Sequence, residues 1–143
     1  MKSSDGSREL LFCDVNTGQQ LTNSNYYREQ QWDTFSCIYG WGLQGIFNRY
    51  DGEKLIQPDS EINCVGRSPD GLVIACAGSH TVQSAIKLFQ YPAIGDAIPS
   101  GQCGGHTSPV LDIAFTGPDD YLTLISAGGN DSSVFLWDVV YDS

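Results

Sequence analysis

Two histidines, His80 and His106, are the side chains whose ordinary pKa suits proton transfer near neutral pH. His80 lies in a polar stretch with no partner close in sequence, so no role is assigned to it. His106 follows a glycine and is better placed for structural duty than for catalysis, as its distant partners indicate below. Asp119 and Asp120 are adjacent carboxylates of the kind that bind a hard cation, but beside Pro118 they read as a solvated turn. Residues 40–45 spell G-x-G-x-x-G, yet no helical pattern follows and the surroundings are β-like, so no dinucleotide is expected there. Five cysteines, at 13, 37, 64, 76 and 103, form no C-x-x-C pair, so zinc is not expected. Most sit among apolar neighbours, as reduced cysteines in a cytosolic protein do. No serine, cysteine or lysine shows the spacing of a nucleophile to a base. The chain is therefore expected to be no enzyme and to use no cofactor and no metal.

The polar residues that do form a pattern are far apart. Gly105-His106 and Trp137-Asp138 bracket a stretch of 30 residues, and Asp131 stands six before Trp137. This spacing resembles a WD repeat, one four-stranded blade of a β-propeller. The resemblance implies that the Asp131 carboxylate accepts from the His106 imidazole and that a Ser or Thr links the imidazole to the Trp137 indole. A buried carboxylate needs such partners, and a hydrogen-bonded chain can pin a blade. The repeat pattern expects the hydroxyl four residues before the aspartate, where Ala127 stands. Ser126 next to it should face the other side of a strand. A reduced network of His106, Asp131 and Trp137 is therefore expected.

The elements that would hold these residues are short and β-rich, with almost no helical periodicity. Strands are expected over residues 9–15, 62–66, 72–77, 86–91, 110–115, 121–127 and 134–140. A longer β-like stretch, interrupted by Gly40, Gly42 and Gly45, is expected over 35–47, its glycines marking bulges or close backbone approach. Residues 23–33 and 48–60 read as polar loops, and 92–105 as a Pro- and Gly-rich connector. The order of strand, Pro-Asp turn, apolar strand, Gly-containing turn and aromatic-bearing strand occurs twice; aligning Asp70 on Asp119 gives a period of 49. In degenerate blades Phe89 takes the Trp place, and Cys13 does so in Leu11-Phe12-Cys13-Asp14. Three units are expected: 1–60, an incomplete blade with a long insertion strand; 61–104, a degenerate WD blade; and 105–143, a WD blade with both signatures.

The chain has 143 residues, 41% hydrophobic and 17% charged, which suits a packed domain and argues against disorder. Its formal net charge is −10, with no basic stripe, so nucleic acid and anionic membranes are excluded as partners. The longest apolar run is too short to span a bilayer, and the polar N-terminus shows no signal peptide. Tyr26-Tyr27-Arg28 and Trp41 are aromatic or neighbouring positions of the kind that anchor interfaces, with core packing an equal reading for Trp41.

Several stretches resemble the C-terminal WD-repeat region of the echinoderm microtubule-associated protein-like family. Residues 31–40, Gln-Trp-Asp-Thr-Phe-Ser-Cys-Ile-Tyr-Gly, are similar to its W-x-T-W-T-C-V-L-G segment. Residues 43–47 resemble V-x-G-I-W, and residues 62–71 resemble I-N-A-V-x-R-S-x-D-G. Residues 87–92 resemble V-x-L-F-x-Y-P, residues 105–110 G-H-S-x-x-V, and 128–137 G-G-x-D-x-S-V-F-Q-W. The match runs in order over about residues 8–140. It departs at 79–85, which lack the acidic residues of the family pattern. The resemblance implies an all-β fold: about three blades of four-stranded antiparallel sheet, a fragment of a larger propeller whose remainder comes from upstream chain or another molecule. It implies a non-enzymatic, protein-binding role with tubulin or microtubules as partner, in the cytoplasm on the microtubule cytoskeleton, including axoneme or spindle. Because tubulin is also acidic, contact is expected to depend on shape or on basic regions elsewhere. The alternative is a generic scaffold or substrate-adaptor propeller in a multiprotein complex.

Overall fold

The computed structural model describes residues 1–4, 9–48, 50–51, 54–55, 62–78, 85–118 and 121–141. His80, the Asp119-Asp120 pair, nearly all of the connector at 79–85 and most of the 48–60 loop lie outside the described residues. The chain is all-β. A first antiparallel sheet has the order β1 (Lys2–Ser4), β2 (Leu10–Cys13), β3 (Gln20–Leu21). After two 3-10 segments, Ser24–Tyr27 and Trp41–Phe47, β4 (Tyr50–Asp51) and β5 (Lys54–Leu55) form a small hairpin. A four-stranded meander follows: β6 (Ile62–Arg67), β7 (Val73–Gly78), β8 (Ala85–Gln90) and β9 (Gly101–Gly104). The last sheet is another meander of β10 (Val110–Thr116), β11 (Thr123–Gly128) and β12 (Val134–Asp138).

The middle sheet is covered on both faces, which is why β7 reads Val-Ile-Ala-Cys-Ala rather than alternating. Ile74, Cys76 and Phe89 pack with Leu43, Ile46 and Ala93 on one face. Ala75, Ala77 and Ile86 meet Val110, Ile113 and Leu124 of the last sheet on the other. Small side chains on β6 and β7 let the sheets approach closely: a Cβ on Gly66 would lie 3.4 Å from the Ile113 carbonyl oxygen.

The middle and last sheets repeat in detail. Each carries a bulge near the start of its first strand, between Ile62 and Cys64 and between Val110 and Asp112. Phe89 faces Ile74 across the ladder as Trp137 faces Leu124, and Cys76 faces Val65 as Ser126 faces Ile113. The last sheet adds one rung to its first hairpin, Thr116 opposite Thr123. The turn at 68–71 is held from within. Ser68 Oγ donates to Asp70 at 2.5 Å, and Asp70 Oδ1 accepts from the Leu72 amide at 2.9 Å. Gly71 takes a positive φ of 78° there.

Three expectations are corrected. No strand forms over 35–47; Trp41–Phe47 is a 3-10 segment that docks on the 91–97 loop. The Gly45 amide donates to Ala93 O and the Ala93 amide to Gly42 O, both at 2.8 Å. Gly42 and Gly45 therefore mark close approach, not a ladder: a Cβ at Gly42 would meet the Tyr91 ring at 2.6 Å. The Pro- and Gly-rich connector contains β9, which closes the middle sheet against β8. At the N-terminus, polar Lys2–Ser4 pairs with β2, and the buried residue of that strand is Phe12, with Cys13 only half-buried.

Candidate functional site

Ser126, not a smaller network without it, lies at the centre of the polar site. Its Oγ is 2.8 Å from His106 Nε2 and accepts the Trp137 indole N–H at 2.9 Å. His106 Nδ1 lies 2.9 Å from Asp131 Oδ2. The structure thus brings His106, Asp131 and Trp137 together around a residue that counting from Asp131 had placed on the wrong face. Strand alternation explains the correction. Ser126 pairs with Phe135 and Leu124 with Trp137, so these four share one face of the sheet, and Ala127 lies on the other.

The ends of the chain of bonds set its direction. An indole N–H only donates and an ionised carboxylate only accepts. Trp137 Nε1–H therefore donates to Ser126 Oγ, the Ser126 hydroxyl donates to His106 Nε2, and His106 Nδ1–H donates to Asp131. Asp131 also accepts from the Thr107 amide at 3.1 Å and the Ser133 amide at 3.2 Å, and its own amide donates to Ser108 Oγ at 3.1 Å. Burial pushes the Asp131 carboxyl upward. The hydrogen bonds from His106, Ser133 and Thr107 outweigh it and hold the group well below the usual carboxylate range. Close approach is required at two glycines: a Cβ at Gly105 would lie 3.3 Å from the Trp137 ring, and one at Gly128 would collide with the Asp131 carboxylate. His106 also meets Phe135 edge-on, with ring centres 4.6 Å apart.

Ser126, His106 and Asp131 have the bond order of a hydrolytic triad. They differ in access. Ser126 is 0% exposed and its oxygen is taken by the Trp137 indole, so no acyl group can reach it. Among the described residues no cluster of three or more His, Cys, Asp and Glu is arranged to hold a metal ion. In the middle sheet the same positions are apolar, Cys76 for Ser126 and Phe89 for Trp137, and both are buried. None of the five cysteines is in a disulfide. Burial and the Asp112 charge push the Cys64 thiol up to about 12, against a weaker opposing interaction with the Ala77 backbone. Burial also raises Cys103.

A second site lies at the other end of the chain. Phe12, Tyr27, Trp32, Tyr39, Trp41 and Phe47 line a cleft of about 520 Å³. Phe12 stacks on Tyr27 at 5.2 Å and on Trp32 at 6.0 Å between ring centres, and Tyr39 on Phe47 at 5.3 Å. The Arg28 guanidinium lies 3.9 Å from the centre of the Trp41 ring, and Lys2 Nζ lies 5.1 Å from that of Trp32. A smaller cavity of about 240 Å³ adjoins it, where Arg67 stacks 3.7 Å from the centre of the Tyr91 ring. Tyr26 is exposed, as its place in a polar loop suggested, whereas Tyr27 and Trp41 are half-buried. The cations of this cleft come from three separate stretches, which sequence spacing alone does not reveal.

Comparison with known proteins covers nearly the whole chain, the repeated sheets included. A family model described as the second β-propeller of echinoderm microtubule-associated protein matches residues 1–139. Echinoderm microtubule-associated protein-like 3 of Homo sapiens is 35% identical over 139 residues, 96% of this chain and 14% of the relative. Echinoderm microtubule-associated protein-like 2 of Homo sapiens is 35% identical over 139 residues, 96% of this chain and 20% of the relative. The 77 kDa echinoderm microtubule-associated protein of Lytechinus variegatus is 33% identical over 141 residues, 98% of this chain and 19% of the relative. The chain thus spans a fifth or less of these curated relatives. With the repeated sheets and the match running through both of them, the chain belongs to the echinoderm microtubule-associated protein family, within its second β-propeller.

Proposed function

We propose that this segment forms part of a non-enzymatic, protein-binding propeller that contacts tubulin or the microtubule lattice in the cytoplasm. The observation that carries the reading is the match to the second-propeller family over residues 1–139, whose relatives are named as microtubule-associated proteins. The chain's net charge of −10 disfavours diffuse electrostatic attachment to an acidic partner. Contact on this reading is local and made by the loops at the strand ends, which a propeller holds rigidly. The hydrogen-bonded chain through His106, Ser126, Trp137 and Asp131 serves that end by fixing the 105–108 loop to the 129–133 turn. Gel filtration of the intact parent protein with soluble tubulin dimer, beside co-sedimentation with taxol-stabilised microtubules, tests the reading. Binding in either assay supports it. Absence of binding in both, from a parent with a native circular-dichroism spectrum, overturns it.

A further inference from the structure

We infer that the aromatic cleft of residues 2–47 and its neighbour at Arg67 bind an acidic peptide segment: separate carboxylates pair with Lys2, Arg28 and Arg67, and an adjacent apolar side chain enters the larger cavity. The whole chain has seven Lys and Arg against 17 Asp and Glu. Three of those seven cations nonetheless line one cavity. Among the described residues none of the three makes an ion pair with a carboxylate, although Glu29 also lines the cavity and Asp70 feels the Arg67 charge, and each cation lies over an aromatic ring. A ring face steadies a cation without neutralising it, so the charge stays available to an incoming anion. Arg67 engages the chain through its Nε–H, which donates to the Gly71 carbonyl at 3.0 Å, and its other N–H groups are suited to a carboxylate. Low-dielectric aromatic walls strengthen such pairing inside the cleft.

The arrangement favours a peptide over other anions. Lys2 sits over Trp32, Arg28 over Trp41 and Arg67 over Tyr91, and Lys2 and Arg67 also flank the Phe35 ring at 5.8 and 5.7 Å from its centre, so the cations are set among aromatic rings around one cavity. Carboxylates carried beside an apolar side chain match cations set among aromatic rings better than a bare compact anion does. A polyanion or an anionic membrane would meet the field of a molecule carrying −10, whereas a short segment entering the cleft meets the local cations first. The larger cavity shares Lys2, Arg28, Trp32 and Trp41 with the smaller one, so an apolar residue beside the carboxylates has room of about 520 Å³.

The inference does not depend on the microtubule reading, and it is tested with free peptide. A fluorescein-labelled heptapeptide of sequence Gly-Glu-Glu-Phe-Glu-Glu-Gly is titrated with the intact parent protein by fluorescence anisotropy, beside its counterpart with Gln for every Glu. The Glu peptide should bind at least about tenfold more tightly than the Gln peptide, with an affinity that falls as salt rises. Arg28 is exposed, so Arg28→Glu should weaken the Glu peptide by about tenfold or more, while loss of its contact with Trp41 lowers the thermal midpoint by only a few degrees. No binding of the Glu peptide, equal binding of the Gln peptide, or an unaffected Arg28→Glu variant overturns the inference. Displacement by millimolar inorganic phosphate, but not by chloride at the same ionic strength, also overturns it in favour of a compact anion. Microtubule co-sedimentation of the same variant is scored separately, so loss of peptide binding with retained sedimentation leaves the proposed function standing.

Discussion

One hydroxyl, that of Ser126, satisfies both a buried indole N–H and a buried imidazole nitrogen. Ser126→Ala leaves both without a partner and should destabilise the folded protein by about 1–3 kcal/mol, read as a lower urea midpoint with an unchanged slope. Adding Ala127→Ser to that variant should restore nothing, because residue 127 faces the other side of β11. Asp131 adds a pH signature. Its folded pKa is depressed below the unfolded value of about 3.9, so its contribution is present above that pH and is lost as pH falls toward the folded value. Between pH 5 and 2 the thermal midpoint of the wild type should fall more steeply than that of Asp131→Asn. His106, Asp131 and Trp137 were legible from spacing because the motif is defined by residue type and interval. Ser126 was not, because an interval counted from the turn does not determine which face a strand residue occupies; the ladder register does.

Docking of the 3-10 segment Trp41–Phe47 depends on glycines that leave no room for a methyl group. A Cβ on Gly45 would lie 2.6 Å from Ala97 Cβ and 3.0 Å from the Ala93 carbonyl carbon, and backbone cannot turn aside. Gly45→Ala should therefore destabilise by about 1–3 kcal/mol and speed amide exchange in residues 41–47. Gly40→Ala should be tolerated, since its Cβ would meet only Leu43 Cδ1 at 3.8 Å. The glycine pattern signalled close approach in advance, but the alternating apolar residues around it mimic a strand. What decides against a strand is tertiary: the amide and carbonyl partners lie on the 91–97 loop rather than on a neighbouring strand. β6–β8 and β10–β12 were read correctly in kind because runs of β-branched and other apolar residues bounded by turn residues act locally. β1 and β9 carry no such signal, being Lys-Ser-Ser and Gly-Gln-Cys-Gly, and exist because a neighbouring strand offers them a ladder.

Across the whole molecule, the last sheet presents an apolar outer face. Leu136 is 70% exposed and stands opposite Ile125, as Leu88 stands opposite Ala75 in the middle sheet. Leu88 packs against the next sheet. In a closed propeller, where each sheet packs on the next, Leu136 should be covered in the same way. Leu136→Lys should then lower the stability of the parent by about 1–3 kcal/mol while improving the solubility of the isolated segment, the second read by gel filtration. The central functional claim, that this segment itself touches the microtubule partner, is tested most directly by hydrogen–deuterium exchange of the intact protein with and without taxol-stabilised microtubules. Binding should slow exchange in loop peptides within residues 22–48 and leave β10–β12 unchanged. Bound protein with no protection anywhere in residues 1–143 would contradict it and assign the contact to the rest of the parent chain.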